Sequence, residues 1–102
     1  MAFVKVAGKD DLQPGERAVI EINDRLFIAL FRVGDDYFAI EDVCTHDDGP
    51  LGDGDLRGYE VECPRHGARF DIRTGEAKRF PAVTPVQRFD VKIEGDDVLV
   101  DV

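Results

Sequence analysis

The sequence Cys44-Thr45-His46 is followed, after a gap of sixteen residues, by Cys63-Pro64-Arg65-His66. These two short segments hold both cysteines and both histidines of the 102-residue chain. Each segment supplies one thiolate and one imidazole, so together they can provide two sulfur and two nitrogen ligands. The spacing therefore predicts one metal centre bound by Cys44, His46, Cys63 and His66. Zinc and a 2Fe-2S cluster are the two candidates that suit this ligand set.

Length and composition indicate one small globular protein. At 102 residues the chain has the size of one domain with a modest core, which we expect to span 1–102. No apolar run approaches the ~20 residues that cross a bilayer, and the first six residues lack the pattern of a secretory signal. We therefore expect a cytoplasmic monomer that does not enter a membrane. In a reducing compartment, two cysteines are better explained as metal ligands than as a disulfide.

The charge of the chain is strongly negative and unevenly distributed. Thirteen Lys and Arg against twenty-two Asp and Glu give a net charge of -9, which argues against nucleic acid as a partner. The acidic surface serves either solubility or attraction of a basic partner. Residues 41–62 contain eight acidic side chains and one basic one, whereas 63–80 contain five basic and two acidic ones. The two ligand segments are thus oppositely charged, and the sequence does not predict which one a partner contacts.

Short apolar alternations separated by Gly, Pro, Asn and Asp predict an all-β protein. No window shows a sustained apolar stripe of helical period. Many short strands at regular spacing favour a small antiparallel β-sandwich or barrel, which the ligand segments interrupt as two loops. The predicted strands cover 3–6, 18–22, 26–33, 37–40, 56–62, 69–72 and 77–80, followed by a final hairpin with strands 89–93 and 98–102.

The ligand segments and their surroundings resemble those of the Rieske ferredoxins. Cys44-Thr45-His46 and Cys63-Pro64-Arg65-His66-Gly67 resemble the two cluster loops, and Phe80-Pro81-Ala82 resembles the proline-containing third loop. The resemblance implies a Rieske fold, with an antiparallel β base and an inserted cluster-binding subdomain over about 42–83. It also implies one Rieske-type 2Fe-2S cluster. Cys44 and Cys63 would bind the inner iron, and His46 and His66 the outer iron near the surface.

The same resemblance implies a one-electron carrier without catalytic residues of its own. The chain has no room for the mononuclear iron domain of Rieske oxygenases, so we expect it to pass electrons from a flavoprotein reductase to a terminal oxygenase. A carrier or small subunit for another redox enzyme, such as a nitrite reductase or an iron-sulfur assembly system, is the alternative. A structural zinc module is a further possibility, although the tight Cys44-x-His46 spacing argues against it.

Two residues of the second loop predict a low reduction potential. Rieske centres lie at roughly -150 to +300 mV because neutral imidazoles replace two thiolates. High-potential members in cytochrome bc complexes carry a Ser and a Tyr, two and four residues after the second His, that donate hydrogen bonds to sulfur. They also carry two extra cysteines. Here those Ser and Tyr positions are Ala68 and Phe70. Because such donors stabilise the reduced cluster, their absence predicts a potential near the lower end.

Glycines around the ligands have two interpretations. Gly49, Gly52, Gly54 and Gly67 either allow close backbone approach or occupy ordinary turns. The first role is favoured for Gly67, whereas turns explain the other three at least as well. Leu51 either covers the cluster edge or simply packs within its loop.

Overall fold

The computed structural model describes residues 2–43, 51–52, 54–64, 67–80 and 82–102. Within these ranges the chain forms eleven β-strands and no helix, which confirms the all-β prediction. None of the described segments is a helix that could span a membrane. The strands are β1 (Phe3–Gly8), β2 (Arg17–Asn23), β3 (Leu26–Val33), β4 (Asp36–Glu41), β5 (Leu56–Arg57), β6 (Glu60–Glu62), β7 (Arg69–Asp71), β8 (Ala77–Arg79), β9 (Arg88–Phe89), β10 (Val91–Glu94) and β11 (Asp97–Asp101).

The strands pair into three antiparallel sheets. The first has the order β1-β11-β10, the second β2-β3-β4-β9 and the third β5-β6-β7-β8. In the second sheet, β4 pairs with β9 through Ala39 with Phe89 and Ile40 with Arg88. The third sheet is therefore inserted between two neighbouring strands of the second. We call the second sheet the central sheet.

Strand β3 is buried on both faces of the central sheet. Residues 28–31 are fully buried, and successive side chains of a strand point to opposite faces. Ala29 and Phe31 belong to the core shared with the β5–β8 sheet. Ile28 and Leu30 belong to the core shared with the β1-β11-β10 sheet. The molecule is therefore built in three layers, and this arrangement explains the continuous apolar run in β3.

Two predicted strands are each divided into two. The strand predicted over 56–62 is a hairpin, because Gly58 has a φ of 64° and turns the chain between β5 and β6. The strand predicted over 89–93 is interrupted at Asp90, so that β9 pairs with β4 while β10 pairs with β11. Phe89 and Val91 nevertheless contact the same core. The alternation of apolar residues therefore continues across Asp90, so the sequence pattern does not show that the chain changes sheet there.

Candidate metal centre

Cys63 is the predicted ligand that the structure describes; Cys44, His46 and His66 lie outside the described residues. Cys63 follows β6 directly, is 1% exposed and forms no disulfide. Its N–H donates to the carbonyl of Ala68 at 2.6 Å, and the N–H of Gly67 donates to the carbonyl of Cys63 at 3.1 Å. Two backbone hydrogen bonds therefore connect Cys63, after β6, with Gly67 and Ala68, before β7.

Gly67 serves this loop through its backbone conformation. Its φ is 73°, a left-handed conformation in which a side chain is strained. A Cβ at this position would meet no described atom within 4 Å. Among the described residues, the close approach favoured for Gly67 has no partner, and the structure shows a role in the direction of the chain instead.

The surroundings of Cys63 are apolar. Leu51, Ala68 and Phe70 are all 0% exposed and belong to the same core as Cys63. None of the buried residues assigned to that core, within the described part of the chain, carries a hydroxyl group. A buried thiol without a disulfide, among apolar side chains, fits a sulfur ligand of a metal cluster. Leu51 therefore does more than pack within its own loop.

Asp42 binds the backbone at Leu51 and Gly52, several residues after Cys44-Thr45-His46. One oxygen, Oδ1, accepts the N–H groups of Leu51 at 2.8 Å and Gly52 at 2.6 Å. The N–H of Asp42 donates to the carbonyl of Phe27 at 2.9 Å. Arg17 Nε donates to the carbonyl of Gly52 at 2.8 Å. These partners were not predicted from the sequence, because no motif connects a carboxylate with an amide nine residues later.

Gly52 and Gly54 allow close approach between segments, and they also lie in a turn, because the N–H of Gly54 donates to the carbonyl of Leu51 at 2.9 Å. Neither is among the glycines with positive φ. A Cβ on Gly54 would overlap the carbonyl oxygen of Glu62, the residue before Cys63. A Cβ on Gly52 would overlap Val19 Cγ2 and lie 3.2 Å from Asp42 Oδ1. The chain at Gly54 is thus packed directly against β6, the strand that leads to Cys63. Gly49 lies outside the described residues.

The third predicted loop exposes two large apolar side chains. Phe80 is 80% and Val83 is 77% exposed, whereas Ala82 between them is 5% exposed and packs in the same core as Cys63. Pro81 lies outside the described residues. Exposed apolar side chains beside a functional site are typical of a contact surface. The sequence identified this loop but did not predict the exposure of its side chains.

The charges of the two ligand segments partly compensate each other across the third sheet. Arg69 Nε lies 3.1 Å from Glu62 Oε1 and Arg79 Nη1 lies 3.8 Å from the same oxygen. Arg69 Nη1 is also 4.0 Å from Glu60 Oε1. The predicted contrast between an acidic and a basic segment is therefore weaker in the folded protein than in the sequence.

An ion pair between buried Asp71 and half-exposed Arg73 supports the hairpin of β7 and β8. Asp71 is 5% exposed and accepts hydrogen bonds from Arg73 N, Nε and Nη2 at 2.8–3.1 Å. The side-chain hydrogen bond from Arg73 holds the pKa of Asp71 below its usual value, against the effect of burial. The Arg73 guanidinium lies 4.2 Å from the ring centre of Tyr59, which contacts Phe38 of β4 edge to face. The pair thus connects the inserted sheet to the central sheet.

The model of the Rieske [2Fe-2S] domain matches residues 2–90 of this chain. The chain belongs to the Rieske family. It is 46% identical to the ferredoxin component of biphenyl 2,3-dioxygenase from Rhodococcus jostii, over 99% of this chain and 94% of that protein. It is 39% identical to the ferredoxin component of the p-cumate 2,3-dioxygenase system from Pseudomonas putida, over 98% of this chain and 86% of that protein.

Solved structures agree with the Rieske fold. A chain from the complex of reduced oxygenase and oxidized ferredoxin in carbazole 1,9a-dioxygenase matches with a TM-score of 0.92 and 36% identity, over 96% of this chain and 91% of that chain. A nitrite reductase small subunit described as putative matches with a TM-score of 0.81 at 20% identity, over the full length of both chains. At that identity the likeness shows the fold alone.

Membership of the Rieske family confirms one Rieske-type 2Fe-2S cluster and excludes the zinc alternative. Relatives that are ferredoxin components confirm an electron carrier, not a catalytic enzyme. The four ligands stay a prediction, because three of them lie outside the described residues. The single domain over 1–102 and its subdomain over about 42–83 also stay predictions.

Proposed function

We propose that this Rieske protein carries single electrons from a flavoprotein reductase to the terminal oxygenase of an aromatic-ring dioxygenase system. The cluster, when bound by Cys44, His46, Cys63 and His66, supplies a site that accepts and releases one electron. The observation that carries the proposal is the buried Cys63 without a disulfide, in the apolar core of a Rieske fold. The ferredoxin components among the relatives support the choice of partners.

The apolar lining favours a potential low in the Rieske range. Ala68 and Phe70 are fully buried beside Cys63 and offer no hydroxyl donor to its sulfur. The reduced cluster carries one more negative charge than the oxidised cluster, so it gains most from such donors. Without them, we expect a midpoint below about +100 mV, within a family range of about -150 to +300 mV.

Phe80 and Val83 provide an apolar contact for the electron-transfer partner. Phe80 begins the third loop and Val83 directly follows it, on either side of Ala82, which packs in the core that contains Cys63. Desolvation of exposed apolar side chains stabilises a complex without requiring a fixed charge pattern. Such a surface suits a carrier that must release one partner before it meets the next.

We propose further that the protein acts in the cytoplasm as a monomer. The assignment of both cysteines as cluster ligands is consistent with a reducing compartment. Size-exclusion chromatography with light scattering tests the oligomeric state, and a mass near 11.4 kDa is expected.

Reconstitution tests the proposed function. The purified protein should be red-brown, give the EPR signal of a reduced Rieske centre, and restore product formation to a reductase and a terminal oxygenase that lack a carrier. The Cys63→Ala variant should lose the visible spectrum and the activity together. A variant that keeps the full spectrum would show that the ligand set is wrong. A midpoint above about +100 mV would contradict the proposed potential.

A further inference from the structure

Asp42 connects the chain before Cys44 with the chain at Leu51 and Gly52. It lies two residues before Cys44, and its Oδ1 accepts the N–H groups of Leu51 at 2.8 Å and Gly52 at 2.6 Å. The described residues on either side of 44–50 are therefore connected through one carboxylate oxygen. Whatever conformation the loop takes, its base is fixed at this oxygen.

The anchor rests on the central sheet. Asp42 follows β4 directly, and its N–H donates to the carbonyl of Phe27 in β3 at 2.9 Å. On the other side, the carbonyl of Gly52 accepts a hydrogen bond of 2.8 Å from Nε of Arg17 in β2. Groups held on paired strands are placed more exactly than groups on loops. The base of the ligand loop is thus connected to three neighbouring strands.

The space around Gly52 supports the same interpretation. A Cβ here would overlap Val19 Cγ2 and lie 3.2 Å from Asp42 Oδ1. Only a glycine therefore lets the chain come close enough to donate to Asp42 without displacing its neighbours. Two independent features, the carboxylate and the missing side chain, serve one contact.

Leu51 extends the anchor to the core that contains Cys63. Its N–H binds Asp42, while its side chain is 0% exposed and lies in the same core as Cys63 and Phe70. A shift of Leu51 would loosen the core to which Cys63 belongs. Asp42 therefore supports the loop that contains Cys44 and His46 through its bonds to Leu51 and Gly52. It supports the core around Cys63 through the side chain of Leu51.

We propose that Asp42 is a positioning residue for the Rieske cluster: its Oδ1 fixes the base of the first ligand loop and, through Leu51, the apolar wall beside Cys63. This inference rests on the ligand set proposed above. The position of one acceptor oxygen is what matters, because the same atom receives both N–H groups. An asparagine can supply that oxygen without the charge.

Three variants of the cluster-loaded protein test the proposal. Asp42→Ala removes the acceptor, Asp42→Asn keeps an acceptor oxygen, and Glu41→Ala removes a neighbouring carboxylate that makes no hydrogen bond within the described structure. Iron release to a chelator should be at least about tenfold faster for Asp42→Ala, because two hydrogen bonds to a charged group are lost. Asp42→Asn and Glu41→Ala should stay within about twofold of the parent. The EPR signal of Asp42→Ala should broaden, whereas those of the other two should not.

Two results with these variants would overturn the proposal. Parental iron release from Asp42→Ala would show that the loop base needs no anchor. Equal damage in Asp42→Asn and Asp42→Ala would show that charge matters and placement does not.

Hydrogen exchange keeps the test valid if Asp42→Ala fails to fold. In the parent protein, the amides of Leu51 and Gly52 should exchange slowly, and exchange at the rate of free peptide would overturn the proposal. Faster exchange in Asp42→Ala with parental iron release would refute the positioning role, whereas the ligand set is tested separately by the visible spectrum of Cys63→Ala. Protected amides in Asp42→Ala would refute the positioning role and leave the ligand set intact.

Discussion

Replacement of Gly54 by alanine should strain its contact with Glu62, the last residue of β6 before Cys63. The new Cβ would overlap the carbonyl oxygen of Glu62 and lie 2.9 Å from its carbon, where carbon atoms normally approach to about 3.5 Å. The two backbones must therefore separate by at least about 0.6 Å. Both are held by hydrogen bonds of 2.9 Å, from Gly54 to Leu51 and from Glu62 to Asp55. Neither side can move alone.

The expected cost of Gly54→Ala is near the upper end of the range for overpacking, about 3 kcal/mol. For a domain of this size, each kcal/mol lowers the melting temperature by roughly 4–8 °C, so we expect a decrease of roughly 12–24 °C. Because Cys63 follows Glu62, the cluster should also be lost more rapidly. Thermal unfolding followed by circular dichroism, together with visible absorbance, measures both effects.

Gly95→Ala is the matched control for Gly54→Ala. Gly95 has a φ of 63° and no described atom within 4 Å of a Cβ, so its replacement costs only the left-handed backbone, about 1–2 kcal/mol. It should leave the visible spectrum unchanged. If Gly54→Ala melted within about 3 °C of the parent, less than one kcal/mol would have been lost, and the argument from close approach would be refuted.

Three further variants test the pocket, the ion pair and the contact surface. Phe70→Tyr adds a hydroxyl that can donate toward the cluster, and it should raise the midpoint potential by up to about 60 mV, the one-electron equivalent of about 1.4 kcal/mol. An unchanged or lower midpoint in a redox titration would contradict this expectation. Because the pKa of Asp71 is lowered from 3.8, its carboxylate stabilises the fold above that pH, and this contribution is lost as pH falls through the lower folded pKa. In urea unfolding, the advantage of the parent over Asp71→Asn should therefore shrink in acid, and a constant difference would count against the pair. Phe80→Ser should slow electron transfer from the reductase without changing the midpoint. The control variant Ile93→Ser, at an exposed site outside the core that contains Cys63, should leave the rate unchanged. Equal rates for the two variants would exclude Phe80 as a contact.

The sequence predicts the general architecture because its strongest signals are local. Apolar runs and turn residues identified most strands, and the ligand segments stood out because they contain all cysteines and histidines. The errors have physical causes of two kinds. Gly58 turns the chain inside an apparently continuous strand. At Asp90 the chain changes sheet while its apolar side chains stay on one core.

The supports of the site were beyond prediction because they depend on contacts between segments. Gly54 matters because of a carbonyl in another strand, and Asp42 because of two amides at the far end of a loop. Neither contact leaves a period or motif in the sequence. The exposure of Phe80 likewise depends on which neighbours the fold brings near it.

The pairing of β4 with β9 has a consequence for protein engineering. The chain leaves the central sheet after Glu41 and returns at Arg88, and Ile40 pairs directly with Arg88. The two junctions of the inserted segment are therefore side by side, on strands that hydrogen bonds already connect. A redox cassette from another Rieske protein could be transplanted between these junctions without redesigning the scaffold that receives it. Such a graft must match one sheet face, Ala29, Phe31 and Ile40. It must also keep the contacts that Arg17, Val19 and Phe27 make with Asp42 and Gly52.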